Sequence, residues 1–122
     1  MIRTMSWLVF GLLVSSGCWA HAILVEAHPG EAERLARAPE EIRLRFDAPV
    51  GERYLALAVI DSEQRQRVDG HDAGLDLLDP SIVRASLETL PPGEYQVRYR
   101  VQSADGHVVT GHYRFNVTGE KP

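Results

Sequence analysis

The residues best placed to do chemistry in this 122-residue chain are two histidines and an aspartate, His21, Asp105 and His107. Asp105 and His107 flank Gly106 in the run Ser103-Ala104-Asp105-Gly106-His107. Gly106 permits the positive-φ geometry of a tight turn. If its flanks are extended, residues two apart project to the same side, so a carboxylate and an imidazole can converge on one point. His21 follows a predicted cleavage point after Ala20. Freed there, it offers a metal ion two nitrogens from one residue, its α-amine and its imidazole. The combined set is three nitrogens and one oxygen with no sulfur. It suits tetragonal Cu(II) far better than Cu(I), and copper heads the divalent affinity order. Zinc accepts the same ligand types but prefers a tetrahedral arrangement that a chelating amine–imidazole pair does not favour.

That chelate depends on the leader. Arg3 makes the start basic, no acidic residue occurs before Glu26, and Trp7 to Val14 is an apolar core too short to cross a bilayer as a helix. Cys18-Trp19-Ala20 then puts small residues where signal peptidase reads them. The pattern predicts a signal peptide over residues 1–20 and one compact domain over residues 21–122. A rival processing at Gly17-Cys18 would lipidate Cys18 and leave His21 inside the chain without a free amine, although Ser15-Ser16 lacks the usual leucine of that pattern.

Cleavage after Ala20 removes the single cysteine and both methionines, Met1 and Met5. The exported part then has no disulfide, no thiolate and no thioether ligand. Net charge is −4, and basic residues alternate with acidic ones instead of forming a stripe, so nucleic acid is not an expected partner. No later apolar stretch reaches transmembrane length, which predicts a soluble product unless Cys18 is lipidated.

The elements that must position these groups read as short strands. Ala22 to Ala27 is β-prone and ends at His28-Pro29-Gly30. Glu41 to Phe46 alternates, with Ile42, Leu44 and Phe46 on one face. Tyr54 to Ile60 is more uniformly apolar, as in a strand covered on both sides or tightly packed. Ile82 to Leu87 is a fourth candidate, and Glu94 to Val101 and Gly111 to Val117 alternate again. Glu31 to Ala38 is the one helix-like stretch, and Asp61 to Asp79 reads as a long exposed excursion. Tyr95, after Leu90-Pro91-Pro92-Gly93, sits where the tyrosine corner of a Greek-key sandwich belongs. The expected fold is an all-β Greek-key β-sandwich of about seven strands.

Plainer readings stand beside these. Asp-Gly is an ordinary hairpin signal, and Asp69-Gly70-His71 repeats the triplet in the polar stretch 61–79, where it reads as a solvated turn or a weak adventitious metal contact. His28 reads as a turn or surface residue, and His112 as an exposed structural one on the outward face of its strand. The serines lack a histidine–acid context, there is no glycine-rich phosphate loop and no HExxH, so no catalytic residue is expected.

Over essentially the whole mature length the chain resembles the CopC-type periplasmic copper-resistance proteins. The resemblance is carried by His21-Ala22-Ile23-Leu24, Pro29-Gly30, Ile42-Arg43-Leu44-Arg45-Phe46 and Pro92-Gly93-Glu94-Tyr95-Gln96-Val97. It continues through Arg100-Val101-Gln102-Ser103-Ala104-Asp105-Gly106-His107, Gly111 and Phe115-Asn116-Val117. The resemblance implies a cupredoxin-like, immunoglobulin-like sandwich that holds one Cu(II) per chain through His21, Asp105 and His107. It implies a periplasmic, non-enzymatic and monomeric carrier in copper homeostasis and resistance, working beside a CopD-type inner-membrane copper transport protein. Some relatives also hold Cu(I) in a methionine-rich loop; a mature chain without methionine looks like the Cu(II)-only type. Tyr99 stands where many relatives have tryptophan. Two other functions stay open at this point: a metal-free sandwich that binds another protein, and a histidine-brace copper oxidase of polysaccharides.

Overall fold

The computed structural model describes residues 22–119. Eight strands run in the order β1 (Leu24–His28), β2 (Arg34–Leu35), β3 (Glu41–Phe46), β4 (Gly51–Asp61), β5 (Gly74–Leu75), β6 (Ile82–Ser86), β7 (Gly93–Gln102) and β8 (Val108–Val117). They form two four-stranded sheets, ordered β1-β3-β6-β5 and β2-β8-β7-β4. The chain crosses between sheets after β1, β2, β3, β4 and β6, and the sandwich has one short strand more than expected. No helix occurs among the described residues.

Period-2 alternation writes the core. In the first sheet Ile42, Leu44, Phe46, Val83 and Ala85 are buried. They face Leu57, Val59, Tyr95, Val97, Val101, Tyr113, Phe115 and Val117 of the second. Phe46 meets Tyr99 edge-on at 5.6 Å across the layers, and Tyr95 stacks on Phe115 at 5.5 Å. Tyr95 makes the expected corner, its hydroxyl donating to the Pro91 carbonyl four residues upstream. The Tyr113 hydroxyl donates to the Pro29 carbonyl at 2.7 Å and ties the β1–β2 connection to β8.

Three expectations are corrected. Glu31 to Ala38 is not helical: Arg34 and Leu35 pair in parallel with Asn116 and Val117, because backbone bonding to the sheet edge is available to so short a polar segment. The strand around Tyr54 to Ile60 is covered on one side only. Leu57 and Val59 are buried, whereas Ala56, Ala58 and Ile60 sit half-exposed on the outer face of an edge strand. The stretch 61–79 is not simply an exposed excursion. Leu77 and Leu78 lie in solvent, yet Asp69 is fully buried, and bridges join Ile60 to Arg67 and Asp69 to Leu87.

The pairings also fix which ends meet. Leu24 lies opposite Phe46, and Ile23 and Asp47 exchange two bonds of 2.9 Å. Gly51, a short crossing later, lies opposite Gln102, which in turn faces Val108. The start of β1, the end of β3, the start of β4 and the β7–β8 turn therefore share one end of the sandwich.

Candidate metal centre

The β7–β8 turn is a hairpin with a three-residue loop. Gln102 and Val108 form the last ladder pair, and Ser103 N–H then donates to the His107 carbonyl at 2.8 Å. Gly106 N–H returns to the Ser103 carbonyl at 2.9 Å, and Gly106 itself takes φ +89°. This is a type I turn followed by a left-handed residue, the form that three-residue hairpin loops favour. A Cβ at Gly106 would touch nothing within 4 Å, so glycine is required here by backbone conformation and not by space.

Asp105 and His107 do converge. Asp105 Oδ2 lies 2.7 Å from His107 Nδ1, and Oδ1 accepts the His107 amide at 3.2 Å. The route differs from the expected one: the two side chains meet because the carboxylate folds back over its own turn, not because they share a strand face. Ser103, which the sequence reading left without a role, completes the arrangement. Its buried hydroxyl donates to Asp105 Oδ1, so the carboxylate is gripped on both oxygens. The signal was present in the spacing, since a serine two residues before an aspartate at a turn is a local hydrogen-bonding pattern. The Ser103 hydroxyl, followed by the His107 ring, holds the Asp105 carboxyl well below the usual carboxylate range, so it is ionised throughout the physiological range. The pair is open to solvent, with 69% of the His107 side chain and 29% of the Asp105 side chain exposed. A fixed anionic oxygen beside an accessible imidazole is a ready half-site for a borderline cation.

His21, residues 1–20 and Cys18 lie outside the described residues. The described chain begins at Ala22, which is buried, at the sandwich end that carries the turn. Among the described residues no group of three or more His, Cys, Asp or Glu side chains is gathered for a metal ion. Any full coordination sphere built on Asp105 and His107 draws its remaining donors from elsewhere.

The second triplet is corrected. Asp69 is not a solvated turn residue but a buried structural carboxylate. It accepts from the Val59 amide at 2.9 Å, from Arg67 at 2.7 and 3.1 Å and from the His71 amide at 3.2 Å. With both oxygens consumed by amides and a guanidinium, it has no direction left for an ion. His71 is exposed at φ +56°, a left-handed residue ending that turn. His28 is exposed and bonded to Glu26 at 2.8 Å, and His112 is exposed on the outward face of β8, both as the sequence suggests.

Known proteins place this chain in a family. The chain belongs to the CopC domain family, whose model matches residues 24–118. It is 30% identical over 121 residues to the copper transport protein CutJ of Bacillus subtilis. That match covers 96% of this chain but only 22% of the relative, so the chain spans about a fifth of that protein's length. It is also 30% identical to copper resistance protein C of Escherichia coli, over 90% of each chain. Among solved structures, CopC from Methylosinus trichosporium OB3b superimposes with a TM-score of 0.75 at 31% identity, covering 84% of this chain and 98% of the other.

Proposed function

We propose that this chain is a periplasmic copper(II) carrier. It binds one ion through the amine and imidazole of His21, a carboxylate oxygen of Asp105 and a ring nitrogen of His107, and yields it by ligand exchange without turnover. The observation that carries the reading is the preformed Asp105–His107 pair, solvent-open and sulfur-free, at the sandwich end where the strand after His21 begins. The ion enters by replacing the hydrogen bond between Asp105 Oδ2 and His107 Nδ1. Its charge is met by a carboxylate already ionised. The CopC, copper transport and copper resistance names of the relatives supply the metal. The absence of any methionine after Met5 favours Cu(II) over Cu(I). Export with cleavage after Ala20 creates the chelating terminus, and a CopD-type inner-membrane protein is the partner this role calls for.

The test is a copper(II) titration of exported protein whose intact mass shows that it begins at His21. One equivalent should bind with a visible d–d band, and occupancy should fall as the medium is acidified, because protons compete for the amine and both imidazoles. One extra residue ahead of His21 should lower affinity by orders of magnitude, as should Asp105→Asn combined with His107→Gln. Unchanged affinity in the extended protein refutes the ligand set; absence of any stoichiometric band refutes the carrier.

A further inference from the structure

Several arginines on the outer faces of the sandwich sit beside a carboxylate. Arg45 pairs with Glu26 at 2.9 Å and Arg84 with Glu41 at 3.0 Å and Asp76 at 2.9 Å on the β1-β3-β6-β5 sheet, while on the β2-β8-β7-β4 sheet Arg114 pairs with Glu94 at 3.3 Å. In the same sheet as Arg114, Arg98 and Arg100 project outward from the middle of β7 and bond only neutral oxygens. Arg98 Nε donates to Gln96 Oε1 at 3.1 Å, and Arg100 Nε donates to the Tyr54 carbonyl at 2.9 Å. Both are exposed. The cross-strand rows around them are Ala58–Arg98–His112 and Ala56–Arg100–Thr110. The short alanines of β4 leave a shallow concavity of about 690 Å³ beside the two guanidinium groups. The sequence pattern hid this patch, because alternation along β7 sends every second residue to one side and so gathers cations that are interrupted in the chain.

We propose that this face is a docking surface for an extended acidic segment of a partner protein, read through its carboxylates. An unneutralised guanidinium pair on a chain of net charge −4 is a local field opposed to the rest of the molecule. The guanidinium fork matches a carboxylate in bidentate geometry. The spacing selects the occupant. Residues two apart on a strand are separated by about 7 Å, the same repeat at which alternate side chains of an extended peptide project to one side. One compact anion spans much less than that and can engage only one of the two forks well. The face also runs into the candidate metal turn: Gln102, two residues after Arg100, reaches from β7 to the Gly106 carbonyl at 3.2 Å. A segment seated along β7 thus lies next to Asp105 and His107. The surface belongs to the sandwich itself, so its failure would leave the copper reading untouched.

The experiment is titration of isotope-labelled, metal-free protein with the synthetic peptide Glu-Ser-Glu-Ser-Glu-Ser-Glu, followed by amide and guanidinium NMR shifts. The expected result is weak saturable binding, with shifts confined to the stretches 96–100 and 110–112. Affinity should fall at least tenfold in the Arg98→Glu, Arg100→Glu double variant and several-fold in the milder Arg98→Gln, Arg100→Gln pair. Arg43→Glu, on the opposite sheet, should bind as the wild type does. Should the charge-reversed protein lose its dispersed amide spectrum, the glutamine pair decides. Shifts scattered over both sheets, or binding indifferent to either double variant, overturn the proposal. So does tighter occupation of the same residues by inorganic phosphate or by phosphatidylglycerol vesicles.

Discussion

The two Asp-Gly-His triplets give opposite phenotypes from the same substitution, and Asp69 is the more quantitative half. Asp69→Ala removes a fully buried carboxylate that accepts from Val59 N–H, Arg67 and His71 N–H. The ion pair itself contributes little, under about 1 kcal/mol, because 44% of the Arg67 side chain stays in water. The larger loss is the buried Val59 amide left without its acceptor, about 1–3 kcal/mol. Together the cost is roughly 1–4 kcal/mol, a large share of the 5–15 kcal/mol that stabilises a typical domain. Asp69→Asn keeps one acceptor oxygen and should cost about half as much. Burial alone would raise the Asp69 pKa, but the Arg67 guanidinium and the Val59 and His71 amides outweigh it and hold the group below its ordinary value. The sign follows: this stabilisation is complete above the unfolded carboxyl value, about 3.9, and fades as pH falls through the lower folded one. Urea denaturation at pH 7 and down to pH 3 measures both. Wild type and Asp69→Ala should differ by the full amount at pH 7 and by less in acid, with copper stoichiometry unaltered. A difference below about 1 kcal/mol at pH 7 would refute this account of the buried carboxylate.

Asp105→Asn should do the reverse, weakening copper(II) binding while leaving the urea midpoint nearly unchanged, since its side chain sits on an exposed turn. Ser103→Ala should broaden or shift the copper(II) spectrum by releasing one carboxylate oxygen, and Ser103→Thr should restore it; an unchanged alanine spectrum removes Ser103 from the site. Tyr95→Phe should cost about 1 kcal/mol by denaturation through loss of the bond to Pro91. Gly111→Ala should cost about 1–3 kcal/mol, because its Cβ would fall 2.2 Å from the Tyr99 ring, and the near-UV spectrum should report the displaced ring.

The strands that read clearly in the sequence are those with one dry face. Ile42, Leu44 and Phe46 alternate with Arg43 and Arg45, and β3 begins and ends where that alternation does. The Tyr95 corner was legible because it needs only a proline–glycine turn and a following strand. What failed was local chemistry that tertiary contacts override. Nothing within Glu31 to Ala38 announces that Arg34 and Leu35 will be captured by β8. At the triplets, sequence context told Asp69 from Asp105 but took Asp69 for a solvated residue, because its burial is made by Val59 and Arg67, which fold over one carboxylate and not the other. The convergence of Asp105 with His107 was foreseen, but its cause, a carboxylate folded back and held by Ser103, belongs to the loop conformation.

Sheet borders are a hazard for any β protein, since unpaired amides invite a second chain to add on. Here β2 and β5 are two residues long and β1 is five. The eleven-residue β4 is the one long border, and its ladder with β7 shifts register between Gly51 and Ala56, with Tyr54 in a left-handed conformation. Such a break twists the strand and leaves no straight template for docking another copy edge to edge. An edge broken in this way should disfavour polymerisation through the protein's own backbone at high concentration.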